Sequence, residues 1–476
     1  MAKERFKTFL LLSLVCINIF LTRRLWIKMP YEILPFFQKE EVLSANYLFT
    51  DMIKPDRYLL NFDEKSHTIF HNDDNNNLWT STRSSLRDIL SSGNIKTGIL
   101  SNEEFLTYDD KRSIVFYFPE KFNTYILARS LDVTKPNNIT EKISKVDSIY
   151  FYLGRENPYV VFSNGDQHLK VYDLHMDVEN IKKKLKQIEE GKNYTFYYSM
   201  KDSLGIDNHI YIPYKMTKTM PKVFVENELD INDIDNVRNI AKVFFDKSID
   251  YIREIIENNG SILYVYNQKV LKINNNGLLE FFNPLESTIK ERNLYLSLNT
   301  ASEFLSNHMG VPKDMYLSKV DEIEVEQNLG YRLTFRYRIR GIPVLLSNDK
   351  IEDFIQMDVF NNHVRNYKRF IRKDMNIEAN NMTEVSPMLS AFDIINMNYD
   401  LLEKRYIEDN NISYIDIDKY HLAEEVLSSI ENISLAYLDS CLKDKDEELI
   451  GVWMIMIKNR TYAFDVYNGN LVLEKN

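Results

Sequence analysis

A single apolar run near the N-terminus, from Phe9 to Leu21, constrains this chain more than any other feature. A helix that crosses a bilayer needs roughly 17 to 25 residues, so the run alone is short. Apolar residues extend it on both sides, and Arg23 and Arg24 can reach the lipid headgroups. The sequence therefore predicts one transmembrane helix over residues 9–27, preceded by a short tail over residues 1–8.

A secretory signal peptide that is removed after export is the alternative for this segment. Such a peptide has a small-x-small cleavage site after its apolar part, whereas Arg23, Arg24 and Trp26 are bulky. The residues before Cys16 also lack the small residue that precedes the cysteine of a lipoprotein signal. Both observations favour an uncleaved anchor.

The composition limits what the rest of the chain can do. With 476 residues, of which 44% are hydrophobic, the chain can bury the cores of roughly two to four domains. The net charge of −11 argues against nucleic acid as a partner, because affinity for phosphates rests on Lys and Arg. Since Cys16 lies in the apolar run, Cys441 has no disulfide partner within the soluble part.

Helical and strand signals alternate along the soluble part. This pattern predicts the α+β class, with several modules of helices packed on antiparallel sheets. The signals are mixed over residues 31–226, the expected N-terminal domain. They are clearer over residues 227–375 and 376–476, the expected middle and C-terminal α+β domains. Segments 357–362 and 464–469 are similar to each other, which hints at a duplicated module.

A four-stranded meander is predicted in the middle domain. It follows a helix over residues 235–245, whose apolar positions Val237, Ile240 and Phe244 recur at helical spacing. Turns rich in Asn and Gly separate the apolar segments that come next. The predicted strands are Ile252–Ile256, Ile262–Tyr266, Lys269–Ile273 and Leu278–Phe282.

Arginines recur at alternate positions of the predicted strand that follows Gly330. Glutamates alternate in the strand before it, and a three-residue loop would place the two rows opposite each other. The arginine row could bind an acidic partner, but the complementary glutamates favour a structural role. The row consists of Arg332, Arg336, Arg338 and Arg340, and the predicted pairs are Glu326–Arg332 and Glu322–Arg336.

Sequence motifs of common enzymes and metal sites are missing. The chain contains no GxGxxG, no GxxxxGK[ST], no HExxH and no GxSxG. His67 and His71 flank a segment that reads as a strand, where their spacing does not converge on a metal ion. We therefore predict a protein that is not an enzyme and that needs neither a metal nor a cofactor.

Several short segments occur in an order that resembles the YycH (WalH) family. The resemblance covers the anchor and roughly residues 230 to 476. It begins at the N-terminus, with a basic start, one apolar span and the exit Leu25-Trp-x-x-x-Pro30. The other segments are 237–246, 255–264, 269–273, 278–281, Tyr331–Tyr337, Gly341–Val344, Gly451–Trp453, Tyr462–Asp465 and Asn468–Gly469.

This resemblance implies a membrane-anchored regulatory protein of a Gram-positive bacterium, acting in two-component signal transduction. Its N-terminus would lie in the cytoplasm and its bulk outside the cell. It would regulate a sensor histidine kinase of the WalK (YycG) type that controls cell-wall homeostasis, together with a YycI-like protein. The resemblance also implies that the last two modules are similar to YycI.

Polar and aromatic residues within the predicted span are candidate contacts to a partner helix. Asn18 lies deep in the span, where an unpartnered amide is costly and helix–helix hydrogen bonds contribute about 1 kcal/mol. Alternatively, Asn18 is tolerated there because it reaches a backbone carbonyl. Ser13, Phe20 and Trp26 complete the candidate contact, and Trp26 is also suited to anchor the helix at the interface.

Two other classes of function remain open from the sequence. A cell-envelope binding module would take up a peptide or wall fragment in a cleft between domains. An enzyme with a dispersed site is the third class. A regulator is expected to copurify with a kinase through its span, whereas a binding module is expected to retain its ligand without the span.

Overall fold

Sheets fill most of the structure, because tyrosine, phenylalanine and β-branched residues are abundant and favour strands. The computed structural model describes residues 45–475 except 64–65, 72–76, 94, 156, 166, 173, 175–177, 207, 218, 349–350, 352, 377–386, 413–418 and 459. Strands account for 36% and helices for 28% of the part it describes.

The described helices are α1 (Ala45–Met52), α2 (Leu78–Ser91), α3 (Asn102–Leu106), α4 (Thr124–Ser130), α5 (Ile139–Lys142), α6 (Glu179–Gly191), α7 (Met200–Leu204), α8 (Ile234–Phe245), α9 (Leu294–Asn307), α10 (Ala391–Met397), α11 (Tyr399–Asn410) and α12 (Lys419–Ser428).

The described strands are β1 (Arg57–Asn61), β2 (His67–Phe70), β3 (Thr97–Leu100), β4 (Ser113–Asn123), β5 (Lys145–Tyr152), β6 (Val160–Ser163), β7 (His168–Val171), β8 (Tyr198–Ser199), β9 (Tyr211–Ile212), β10 (Phe224–Asn227), β11 (Arg253–Ile256), β12 (Ile262–Tyr266), β13 (Lys269–Ile273), β14 (Leu279–Phe282), β15 (Tyr316–Val325), β16 (Asn328–Arg336), β17 (Arg338–Ile339), β18 (Ile342–Leu346), β19 (Ile355–Phe360), β20 (His363–Arg369), β21 (Arg372–Asp374), β22 (Ile430–Asp439), β23 (Glu447–Glu448), β24 (Ile450–Ile457), β25 (Arg460–Asp465) and β26 (Leu471–Lys475).

The first sheet has seven antiparallel strands in the order β2-β1-β4-β5-β6-β7-β3. Its two faces differ because successive side chains of a strand point to opposite sides. Helix α2 covers one face, where the Trp79 ring lies 5.4 Å from the ring of Phe116. The other face carries Val115 and Tyr117 and forms the floor of the cavity described below.

The second sheet contains the predicted meander. Its eight strands run β11-β12-β13-β14-β20-β19-β16-β15. The four predicted strands are confirmed to within one residue, and helix α8 precedes them as expected. Aromatic rings join the helices to the sheet, with Phe244 of α8 at 5.0 Å from Phe281 and Phe304 of α9 at 5.1 Å from Tyr367.

The third sheet has six strands in the order β17-β18-β22-β24-β25-β26. Strand β18 pairs in parallel with β22, although it lies directly after β17 of the arginine-rich segment. Trp453 on β24 is fully buried, and its indole N–H donates to the Leu389 carbonyl at 3.0 Å. That bond fastens the segment before α10 to the sheet.

The expected fold class is wrong. Strand exceeds helix in the part of the chain that the structure describes, and β18, from the expected middle domain, pairs in the last sheet. A three-stranded sheet, β21-β10-β23, also joins strands that are far apart in the chain. Among the residues the structure describes, no helix is both long and apolar enough to cross a bilayer. The span expected over residues 9–27 lies outside them.

The predicted register of the arginine-rich hairpin is also wrong. Glu326 and Gln327 form a two-residue turn in which both have positive φ angles, 52° and 67°, as a type I′ turn requires. Val325 consequently pairs with Asn328, and Glu322 with Tyr331. The glutamates and arginines therefore do not form the predicted cross-strand pairs.

Candidate binding cavity

The structure does not describe any of the residues that the sequence predicts as contacts to a partner helix. Ser13, Asn18, Phe20 and Trp26 all lie outside the described residues. The site described here is instead a cavity of about 680 Å³ between the first sheet and strands of the two later large sheets. Sequence reasoning missed it because its walls come from segments more than one hundred positions apart.

One row of side chains crosses the floor of the cavity. Arg57, Tyr117, Ser148, Ser163 and His168 are paired neighbours on successive strands β1, β4, β5, β6 and β7. All five line the cavity. With strands about 4.8 Å apart, the row extends over roughly 19 Å. The floor is thus long enough to contact an extended ligand.

A second row, two residues further along each strand, is mostly apolar, and its members Val115 and Tyr150 line the cavity. Leu59, Val115, Tyr150 and Val161 occupy it and belong to one buried cluster. Tyr150 also donates to the carbonyl of Tyr108 at 3.1 Å. Burial raises the pKa of Tyr117 to about 12, so its hydroxyl remains protonated at neutral pH.

The roof of the cavity belongs to the last sheet. Asn432 pairs with Met456 and Ser434 with Met454 on strands β22 and β24, and all four line the cavity. Methionine side chains adapt to irregular apolar ligands. Arg57 connects floor and roof, because its Nη1 donates to Oδ1 of Asn432 at 2.7 Å.

Arginines concentrate at the end of the cavity formed by β1 and β16. Arg57 and Arg336 line it, together with Asp56 and His71. Burial, reinforced by the positive charges of Arg57 and Arg338, lowers the pKa of His71 to about 3. Burial raises the pKa of Asp56, while the neighbouring arginines oppose that shift. His71 is therefore neutral here and can accept a hydrogen bond.

A buried hydroxyl on β9 also faces the cavity. Tyr211 lines it, is 7% exposed, and its hydroxyl has no hydrogen-bond partner of normal geometry among the described residues. Burial and the nearby Asp109 carboxylate raise its pKa well above the usual value. Leaving such a donor unpaired costs free energy. Tyr211 is thus ready to donate to a bound ligand.

Ser163, His168 and Asn102 line the same cavity and resemble a catalytic triad in outline. Ser163 Oγ lies 2.9 Å from His168 Nδ1, and His168 Nε2 lies 3.1 Å from Asn102 Oδ1. The amide oxygen accepts from Nε2–H, so Nδ1 accepts from the serine hydroxyl. Ser163 is only 1% exposed, and the imidazole stacks on Phe105 at 4.1 Å. This geometry fastens the wall of the cavity and offers no accessible nucleophile.

A smaller cavity of about 540 Å³ lies where α9 and β15 meet β4. The Arg292 guanidinium there donates to the carbonyls of Gly330 and Ile323 and lies 3.5 Å from Glu322. The positive charge of Arg292 is therefore already paired with a carboxylate and two carbonyls of the protein. We therefore take the larger cavity as the candidate site.

Across the described ranges, no cluster of three His, Cys, Asp or Glu side chains has a geometry that could hold a metal ion.

Comparisons with known proteins do not show a family for this chain. No protein-family model matches it, and no curated protein matches it. Among solved structures, the Bacillus megaterium YpeB C-terminal domain is similar at 15% sequence identity. That match covers 51% of this chain and 96% of the YpeB domain, with a TM-score of 0.24. A score this low does not establish a common fold.

Proposed function

We propose that this protein is a non-catalytic binding module of the cell envelope, which takes up a peptide or wall fragment in the central cavity. The observation that carries the proposal is the cavity itself, with its aromatic floor and methionine roof. Ligand sites are typically concave, mostly apolar and supplied with a few well-placed polar groups. Here those groups include Arg57 and the hydroxyl of Tyr211, which has no hydrogen-bond partner of normal geometry among the described residues.

The shape and chemistry of the walls support this class of ligand. Tyr117 and Tyr150 present rings to the cavity, and rings of this kind pack against apolar side chains and sugar faces. Ser434 and Asn432 on the roof can exchange hydrogen bonds with amide or hydroxyl groups. A peptide or a glycan fragment carries both kinds of group.

Native mass spectrometry of the full-length protein, purified from host membranes and exposed to a soluble digest of the host cell wall, tests the proposal. We expect a small molecule to be retained by the wild type and lost in Met454→Trp, because the larger indole obstructs the cavity beneath its roof. Met397→Trp is the matched control, since Met397 is 57% exposed and does not line this cavity. A wild-type protein that retains no small molecule would contradict the proposal.

A second candidate function is regulation of a sensor histidine kinase of the WalK (YycG) type. The ordered sequence segments that resemble the YycH family support it, and many of them fall on strands of the second and third sheets. In this proposal the protein is located at the cell membrane, single-pass, with the N-terminus cytoplasmic and the bulk extracellular. It would act with the kinase and a YycI-like protein. In that case, ligand binding in the cavity would be the event through which the protein regulates the kinase.

Crosslinking of the full-length protein in native membranes tests the regulatory candidate. We expect capture of a sensor kinase that is lost when residues 1–30 are exchanged for an unrelated span. Asn18→Leu is expected to weaken this capture, whereas the neighbouring Ile19→Leu change serves as the control. An unchanged complex in Asn18→Leu removes Asn18 from the contact. Capture of no membrane protein argues against the regulatory candidate and leaves the binding module standing.

A further inference from the structure

The arginine end of the cavity has more positive than negative charge. Arg336 lines the cavity, Arg57 lies beside it on the floor, and Arg338 is buried nearby with its guanidinium 4.0 Å above the Tyr316 ring. We infer that this end binds the acidic group of the ligand, most simply a carboxylate joined to an apolar or ring-shaped body. The inference rests on the proposed binding function and specifies the chemistry of the ligand.

The ion pairs of the arginine row show which members are available. Arg332 is paired with Asp358 at 2.7 Å, and Arg340 with Asp374 at 2.9 Å. Within the described ranges, neither Arg336 nor Arg338 has a carboxylate within 4.0 Å. The hairpin register explains the difference, because Glu322 lies opposite Tyr331. Two arginines of the row thus form ion pairs with aspartates, whereas Arg336 and Arg338 have no such ion pair among the described residues.

The remaining partners of these arginines are mostly neutral. Arg57 donates to the amide of Asn432 and stacks at 4.3 Å on the Tyr117 ring. Arg338 donates from Nη2 to the Pro55 carbonyl at 3.3 Å, while its buried Nε has no partner in the part of the chain that the structure describes. The positive charges of Arg57, Arg338 and Arg336 all act on the Asp56 carboxylate and oppose the rise of its pKa on burial. Three cations near one carboxylate leave the end electropositive.

The protonation of His71 is consistent with that field. Its pKa is lowered to about 3, first by burial and then by Arg57 and Arg338. The cavity also contains Asp147, which has Lys121 at 4.0 Å as its own counter-charge, and Asp109, which lies 3.5 Å from the His209 imidazole. A guanidinium group binds a carboxylate in a planar, two-bond geometry. The ligand body would then lie along Tyr117 and Met454.

Two matched pairs of compounds test the inference with the full-length protein in detergent. N-acetyltryptophan and its amide differ only in the free carboxylate of a peptide-like acid. N-acetylmuramic acid and N-acetylglucosamine differ by the acid-bearing lactyl group of a wall sugar. Affinities are measured by saturation-transfer difference NMR. We expect the acid of at least one pair to bind about tenfold more tightly than its neutral counterpart, as a charge-assisted hydrogen bond would give. The pair that shows the difference identifies the source of the acid.

The Arg336→Gln variant tests whether the preference for the acid arises at the arginine end of the cavity. Arg336 is exposed, so the substitution is expected to leave folding intact and to reduce the acid-to-neutral ratio toward one. Arg253→Gln is the control, because it removes another exposed arginine, from β11, which does not line the cavity. A ratio near one in the wild type, an unchanged ratio in Arg336→Gln, or binding of none of the four compounds overturns the inference. A retained natural ligand without an acid group overturns it too, yet leaves the binding function intact.

Discussion

Arg57 donates a hydrogen bond from Nη1 to Oδ1 of Asn432 at 2.7 Å, across 375 positions of the chain. The bond joins the first strand of the first sheet to a central strand of the last sheet. The same guanidinium thus helps to hold the cavity together and to set its charge.

Asn432→Ala is expected to destabilise the protein by about 1 to 2 kcal/mol, because a charged donor loses its acceptor at a half-buried site. A double-mutant cycle with Arg57→Gln, measured by urea unfolding, isolates the pair. We expect the double variant to lose less than the sum of the single losses. Additive losses would mean that the two side chains act independently.

Tyr211→Phe is expected to leave stability unchanged or to raise it by roughly 1 kcal/mol. The hydroxyl is buried near the Asp109 carboxylate without a hydrogen-bond partner of normal geometry among the described residues, so removing it relieves a desolvation cost. The same variant is expected to bind the retained ligand less tightly. Unfolding midpoints in urea and native mass spectrometry measure the two effects. A clear loss of stability would show that the hydroxyl is already satisfied.

Stability is expected to fall as the pH drops below about 6.5, in part because of His71. Its pKa is about 3 in the folded protein, against about 6.5 in an unfolded chain. Between these values the unfolded state binds more protons, so acid favours unfolding. Relative to wild type, His71→Asn is expected to recover up to about 2 kcal/mol of the loss between pH 7 and pH 5. A loss between pH 7 and pH 5 in His71→Asn equal to that of the wild type would contradict this role of His71.

Glu228→Gln is expected to destabilise the protein by about 3 kcal/mol or more, because it leaves a buried guanidinium without its counter-charge. Arg369 is 1% exposed and holds Glu228 through two bonds of 2.6 and 2.7 Å. The surface pair Arg238–Glu254 has similar two-bond geometry. Glu254→Gln there is expected to cost much less. Comparable losses in urea unfolding would argue against burial as the cause.

Local patterns predicted the elements whose partners are adjacent in sequence. The meander from Arg253 to Phe282 was predicted almost residue by residue, because short Asn- and Gly-rich turns leave its strands few alternatives. In the last part of the chain, by contrast, one helical stretch is divided into two helices, α10 and α11. Ser390 caps the first of these through the amide of Asp393, and α11 follows after Asn398.

The arginine-rich hairpin shows where such prediction fails. Its strands were recognised, yet a loop of three residues was assumed where Glu326 and Gln327 make a turn of two. Because side chains alternate along a strand, a small change in the turn alters every cross-strand pair. In the observed register Arg336 lies opposite Tyr316 instead of the predicted Glu322, and it lines the cavity.

The sequence by itself determined the helices and strands with strong periodicity, the acidic character and the apolar N-terminal run. These follow from side-chain chemistry and backbone geometry over a few residues. Only the tertiary structure decided that β18 leaves its neighbours to pair with β22, and that Arg57, Arg336 and Met454 line one cavity. Pairing between distant strands depends on the packing of whole sheets, and no local pattern contains that information.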